Sequence, residues 1–119
     1  MSKDLKYLVD EAKELGTDIK FEDGYAYVFS DYTTFDYQIP FDGETADDFI
    51  NDFKRYTSLG KTREDFMKLS KDAFNGTDDD PDEMCQIFLQ ETNELIGALQ
   101  EIRDEAQALL SQGLLEKGR

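Results

Sequence analysis

Apolar residues follow the period of an α-helix in the first part of the chain. The apolar positions recur at i, i+3, i+4 and i+7 and form one stripe, made of Leu5, Leu8, Val9, Ala12 and Leu15. Ser2 is a good N-cap, and Gly16 is a residue type that often ends helices. The pattern predicts a helix over residues 3–15.

The apolar period then changes to two. Alternating apolar residues share odd numbers in three short runs, namely Ile19, Phe21, Tyr25, Tyr27, Phe29, Phe35, Tyr37 and Ile39. Asp23-Gly24 separates the first two runs, and this pair favours a type I′ hairpin turn. We expect antiparallel strands over residues 17–22, 25–30 and 35–39, with the odd face packed on helices. Ala26 and Val28 are exceptions to this alternation.

Helical spacing returns after Pro40. Thr45 can cap a helix that ends near Gly60, with Asp48 as its capping-box partner, and Thr62 can cap another that ends near Asn75. Together these patterns predict one α+β domain over residues 1–119. Its order is an N-terminal helix, a three-stranded antiparallel meander, two short helices and a long C-terminal helix.

The long C-terminal helix has the clearest start in the chain. Asp80 suits the N-cap and Pro81 the first helical position, and no strong breaker follows before Gly113. A helix of about 30 residues would be about 45 Å long. From Phe88 onward, the spacing of its apolar seam alternates between four and three residues, as in a coiled coil.

This seam permits two interpretations. It can pack on the rest of the domain, or part of it can pair with another chain. The second interpretation predicts a homodimer through Leu95, Leu99, Ile102 and Leu109.

Charge changes the picture more than any motif does. The chain has 28 acidic and 13 basic residues, a formal charge of −15, and the acids exceed the bases in every part of the sequence. Such a field repels nucleic acid and anionic membranes and attracts basic partners. We therefore expect neither direct nucleic-acid binding nor membrane binding.

Catalytic and metal chemistry find little support in the sequence. The chain has no histidine, and no phosphate-binding loop, nucleophile motif or zinc spacing occurs. The acidic run 78–83 fails the calcium-loop pattern because position 6 is Glu83 rather than glycine. We predict no enzymatic activity, no catalytic residues, no metal and no cofactor.

Compartment is indicated by the cysteine content and by the absence of targeting segments. Cys85 is the single cysteine, so the chain cannot form an internal disulfide. Neither a signal peptide nor an apolar run of membrane-spanning length occurs. We expect a reducing, cytoplasmic setting.

Small size, high negative charge, aromatics interleaved with acids from Tyr25 to Tyr37, and acid-rich helices after Thr45 occur together here. In these features the chain resembles small acidic proteins of phages and mobile elements, including anti-restriction and anti-CRISPR proteins that imitate DNA. The resemblance lies in composition and layout and carries over no functional residue. It implies an inhibitor that covers the nucleic-acid-binding surface of a host defence nuclease.

The leading hypothesis is therefore a non-enzymatic protein that binds a basic, nucleic-acid-binding partner. The alternative is an adaptor that self-associates through its long helix. Acid density selects three candidate clusters for partner binding: Asp47, Asp48 and Asp52; Asp78 and Asp79; and Glu94, Glu101 and Glu105.

Overall fold

The computed structural model describes residues 1–31, 33–58 and 81–114, and these form an α+β arrangement as predicted. The elements in chain order are α1 (Lys3–Glu14), β1 (Thr17–Glu22), β2 (Tyr25–Ser30), β3 (Tyr37–Pro40), α2 (Ala46–Ser58) and α3 (Pro81–Ser111). The helix predicted between Thr62 and Asn75, and the residues Asp78, Asp79 and Asp80, lie outside the described ranges.

The predicted helix ends at Ser2, Gly16 and Thr45 are confirmed by hydrogen bonds or backbone angles. Ser2 caps α1 because its Oγ accepts from the Leu5 amide, and Gly16 follows the helix with a φ of 86°. Thr45 and Asp48 form a capping box at α2. The Asp48 amide donates to Thr45 Oγ1 at 3.1 Å, and the Asp48 carboxylate accepts from the Thr45 amide at 3.2 Å.

The hairpin turn has the predicted conformation, but its register corrects one expectation. Asp23 and Gly24 both have positive φ, 52° and 79°, as a type I′ turn requires. This two-residue turn places Glu22 opposite Tyr25, so every odd residue of β1 faces an even residue of β2. The prediction that odd residues are buried is therefore wrong for β2, where Ala26 and Val28 are buried.

The third strand starts two residues later than predicted, at Tyr37. Phe35 is buried, but its ring packs on Phe88 with a centroid separation of 5.3 Å. Its carbonyl accepts from the Thr33 hydroxyl at 3.0 Å instead of joining the strand ladder. Side-chain packing and a local turn therefore delay the strand.

The sheet has the order β1-β2-β3, and the core lies between its inner face and the helices. Phe49 and Phe53 of α2 are fully buried and meet rings from the sheet side, including Phe21 and Tyr37. The Tyr37 hydroxyl shares a buried hydrogen bond with Oγ1 of Thr92 at 3.0 Å, which explains why this polar residue lies among the buried side chains of α3. Among the described helices, none combines the length and apolar character needed to cross a bilayer.

Candidate functional site

The apolar seam of α3 is used mainly inside the domain. Leu95, Leu99 and Ile102 are 6%, 1% and 7% exposed, and α3 packs on both α1 and α2. Leu109 is only half-buried, close to the end of the helix. This burial favours the interpretation in which the seam packs on its own domain, because three of the four proposed dimer residues are not on the surface.

Two acids of the α2 cluster stabilise the fold. The Asp47 carboxylate pairs with Arg103 of α3 at 3.3 Å and accepts from Gln107 at 3.2 Å. Asp48 caps its own helix, and hydrogen bonds from the Glu44 and Thr45 amides lower the pKa of its carboxyl. These contacts explain both acids without a partner protein.

Asp52, the third acid of that cluster, lies in a different environment. It lines an open cleft of about 660 Å³ at the tip of the hairpin, together with Asp42, Arg55 and Tyr56. Partial burial raises the pKa of Asp52, nearby Arg55 opposes that rise, and Asp42 adds to it. The cleft holds charges of both signs, so it is not a uniformly acidic surface.

The third predicted cluster is brought together by the fold. Glu94, Glu101 and Glu105 are all exposed, and their helical spacing puts them on one side of α3. Eleven residues separate the first from the last, so the row is about 16 Å long. Within the described residues, Glu101 has no hydrogen-bond or ion-pair partner.

Helix α1 supplies a second acidic row that the sequence prediction missed. The Tyr7 hydroxyl donates to Glu105 Oε1 at 2.5 Å, whereas Ala12 and Leu15 lie near the earlier part of α3, so the two helices are antiparallel. Glu11 and Glu14 follow Tyr7 on the same side of α1 and are exposed. We call the five glutamates of the two helices together the acidic helix face: Glu11, Glu14, Glu94, Glu101 and Glu105.

Electrostatics within this face are visible at Tyr7. Its hydrogen bond to Glu105 raises the pKa of Tyr7 to about 12, with further contributions from burial and from the charges of Glu11 and Glu105. The tyrosine therefore stays protonated at neutral pH and donates to a carboxylate. The charges of carboxylates from both helices thus act on one hydroxyl.

An apolar groove of about 290 Å³ adjoins the acidic helix face. Its lining includes Ala12 and Leu15 of α1 and Leu99 and Ile102 of α3. Glu94 and Glu91 also line it, but Glu91 is bound to the loop before β3 by the amide and hydroxyl of Thr34. The groove adds some apolar surface beside the carboxylates.

Reactive and metal-binding groups are sparse in the described part of the chain. Burial, together with the negative charge of Asp82, raises the pKa of the Cys85 thiol and so disfavours the thiolate. No group of three or more His, Cys, Asp or Glu side chains in residues 1–31, 33–58 and 81–114 is arranged to hold a metal ion.

No protein-family model matches the chain, and neither the curated proteins nor the solved structures gave a match.

Proposed function

We propose that this protein acts by binding rather than catalysis, and that it occupies a basic, nucleic-acid-binding surface of a partner protein through the acidic helix face. The observation that carries the proposal is the antiparallel pairing of α1 and α3. This pairing joins Glu11 and Glu14 to Glu94, Glu101 and Glu105 as two rows of exposed carboxylates. The partner class is the one expected of anti-restriction and anti-CRISPR inhibitors.

The spacing of these rows suits a surface built to bind phosphates. Glu101 and Glu105, four residues apart, lie about 6 Å apart along the axis of α3, close to the roughly 6.8 Å between alternate phosphates of one DNA strand. Glu94 lies about 10.5 Å before Glu101, close to three phosphate steps of about 3.4 Å each. Packed helices lie about 8–10 Å apart, between the widths of the minor and major grooves, about 6 Å and 12 Å. Lysine and arginine side chains of a partner that bind the two phosphate rows of DNA can thus reach both glutamate rows of this protein.

The intramolecular contacts narrow the choice among the acidic clusters. Asp47 and Asp48 already have partners within the fold, so losing their charge also costs stability. Among residues 1–31, 33–58 and 81–114, the single hydrogen bond made to Glu94 or Glu101 runs from Gln90 to Glu94 at the long distance of 3.5 Å. Carboxylates with few internal contacts keep their charge available to a partner.

The test is affinity capture of partners from a host lysate at low salt, with two charge-matched variants. In the first, Glu94, Glu101 and Glu105 become glutamine. In the second, three exposed acids outside the two helices are neutralised by Glu22→Gln, Asp23→Asn and Glu44→Gln. Both variants lose three negative charges, so a difference between them reports the surface and not the net charge.

We expect the control variant to retain a nucleic-acid-binding partner that wild type captures, and the helix-face variant to lose it. Addition of DNA should release this partner from the wild-type protein. Equal loss in both variants would contradict a defined binding face. A salt-resistant homodimer with no basic partner would favour the adaptor alternative.

A further inference from the structure

The outer face of the sheet carries a row of aromatic side chains on its central strand. Because the hairpin register turns Ala26 and Val28 inward, Tyr25, Tyr27 and Phe29 lie on the opposite face. Tyr25 is 38% exposed and Phe29 41%, and the rings of Tyr25 and Tyr27 are 6.3 Å apart. The described helices pack mainly on the inner face, and Tyr56 of α2 comes near Tyr25 at the hairpin end of the row.

Acidic residues border Phe29, whereas Lys20 stands opposite Tyr27 in the strand register. Phe29 lies in a shallow depression of about 410 Å³ that is also lined by Asp18, Asp31 and Asp36. Lys13 lines the same depression, and Lys20 pairs with Asp18 at 3.7 Å. That pair is exposed on both sides, so an incoming cation can replace the lysine at little cost.

Charge decides what can cover this face. Aromatic rows often stack on nucleic-acid bases, but phosphates would here meet the carboxylates around Phe29. A second copy of the chain would bring another formal charge of −15. A cationic partner is attracted by the same carboxylates.

Among cations, guanidinium fits best. It stacks flat on an aromatic ring while its N–H groups donate to carboxylates, and the ammonium of lysine is a more strongly hydrated point charge. Alternate residues of a strand are about 6.8 Å apart, which is also the spacing of alternate side chains in an extended peptide.

We propose that the outer sheet face, centred on Tyr25, Tyr27 and Phe29, is a second binding surface that takes an extended, arginine-bearing segment of a protein partner. The inference rests on the proposed function for the basic character of the partner. The sheet surface is separate from the acidic helix face, and its chemistry differs. Stacking of a guanidinium on the rings contributes binding energy that salt screens less than it screens ion pairs.

The test uses a labelled peptide with arginine at alternate positions and an otherwise identical lysine peptide. The protein variant is Tyr25→Ser with Phe29→Ser. The control is Leu114→Ser, which removes an apolar side chain that is 46% exposed on another surface. All three changes leave the net charge unaltered.

We expect the arginine peptide to bind the wild type more tightly than the lysine peptide. Loss of both rings should weaken arginine-peptide binding about four- to twenty-fivefold, at about two- to fivefold for each cation–π contact. The leucine control should bind like wild type. Equal binding of the two peptides, or an unchanged affinity after removal of both rings, would overturn the proposal.

A second measurement keeps the test decisive if the ring variant does not fold. Upon addition of the arginine peptide to wild type, the NMR ring signals of Tyr25 and Phe29 should shift, whereas unshifted rings contradict the proposal. Failure of the proposed function is distinguishable from failure of this proposal. The helix-face glutamine variant should keep these ring shifts. If that variant also still captures the nucleic-acid-binding partner, the proposed function is contradicted while the sheet-face proposal stands.

Discussion

Replacing Asp4 should destabilise the protein even though it reduces an excess of negative charge. Asp4 is 8% exposed and serves the N-termini of two helices. Its carboxylate accepts from the Leu5 amide at 2.9 Å in α1 and from the buried Ala46 amide at 3.3 Å at the start of α2, and it also accepts from the Ser2 hydroxyl. One side chain thus holds the ends of α1 and α2 together.

The magnitude follows from these contacts. Loss of a capping interaction costs about 1 kcal/mol, and leaving the buried Ala46 amide without a partner costs about 1–3 kcal/mol. The charge also favours each helix dipole by about 0.3–1 kcal/mol. These terms overlap, so we expect Asp4→Ala to lower the free energy of unfolding by about 2–4 kcal/mol, and Asp4→Asn by about half as much.

Asp10→Ala is the matched control, since Asp10 is an exposed acid in the middle of the same helix. Its replacement removes the same charge and improves helix propensity, so stability should stay equal or rise by up to about 0.7 kcal/mol. The assay is urea unfolding followed by circular dichroism at 222 nm. At a slope of about 1.5 kcal/mol per molar urea, the Asp4→Ala midpoint should fall by about 1.3–2.7 M. A midpoint that rises in both variants would refute the two-helix role and leave charge repulsion as the controlling effect.

Three further predictions concern other parts of the fold. Leu99→Asp should unfold the protein because it buries an unpaired charge, whereas Ala108→Asp at an exposed position of the same helix should leave it folded. A Leu99→Asp protein that is folded and monomeric in size-exclusion chromatography would instead support the dimer interpretation. Thr92→Val removes one of the two hydroxyl partners of the buried Tyr37, the other being Thr33, and should cost about 0.5–1.5 kcal/mol in urea unfolding; an unchanged midpoint would contradict that contact. Because the folded-state pKa of Tyr7 is raised to about 12, the contribution of protonated Tyr7 to folding stability is complete below pH 10 and is lost between about pH 10 and 12. Glu105→Gln should return the Tyr7 pKa toward 10 in an NMR titration, and an unchanged pKa would show that Glu105 does not cause the shift.

Local signals in the sequence were sufficient to predict most of the elements. Ser2 and Gly16 bracket α1, Asp23-Gly24 forms the turn, and Pro81 begins α3. The error in β2 arose because numbering parity was carried across a two-residue turn. Such a turn pairs odd residues with even ones, so aromatics expected in the core lie on the outer face.

The candidate site was harder to predict because it depends on contacts between distant segments. Acid density could not separate Asp47, which pairs with a residue of α3, from Glu101, which has no internal partner in the described residues. The row on α1 was missed because the Tyr7–Glu105 contact joins residues 98 positions apart. The position of Glu94, Glu101 and Glu105 on one side of α3 followed directly from helical periodicity.

The most direct test of the central claim is whether this protein and DNA exclude each other from the captured partner. Labelled DNA bound to that partner would be titrated with wild-type protein, and fluorescence anisotropy would follow its release at about 0.05 M and 0.5 M salt. Our account predicts that wild-type protein displaces all of the DNA at low salt and much less of it at high salt. The helix-face glutamine variant should displace none. A stable ternary complex of partner, DNA and this protein would contradict it.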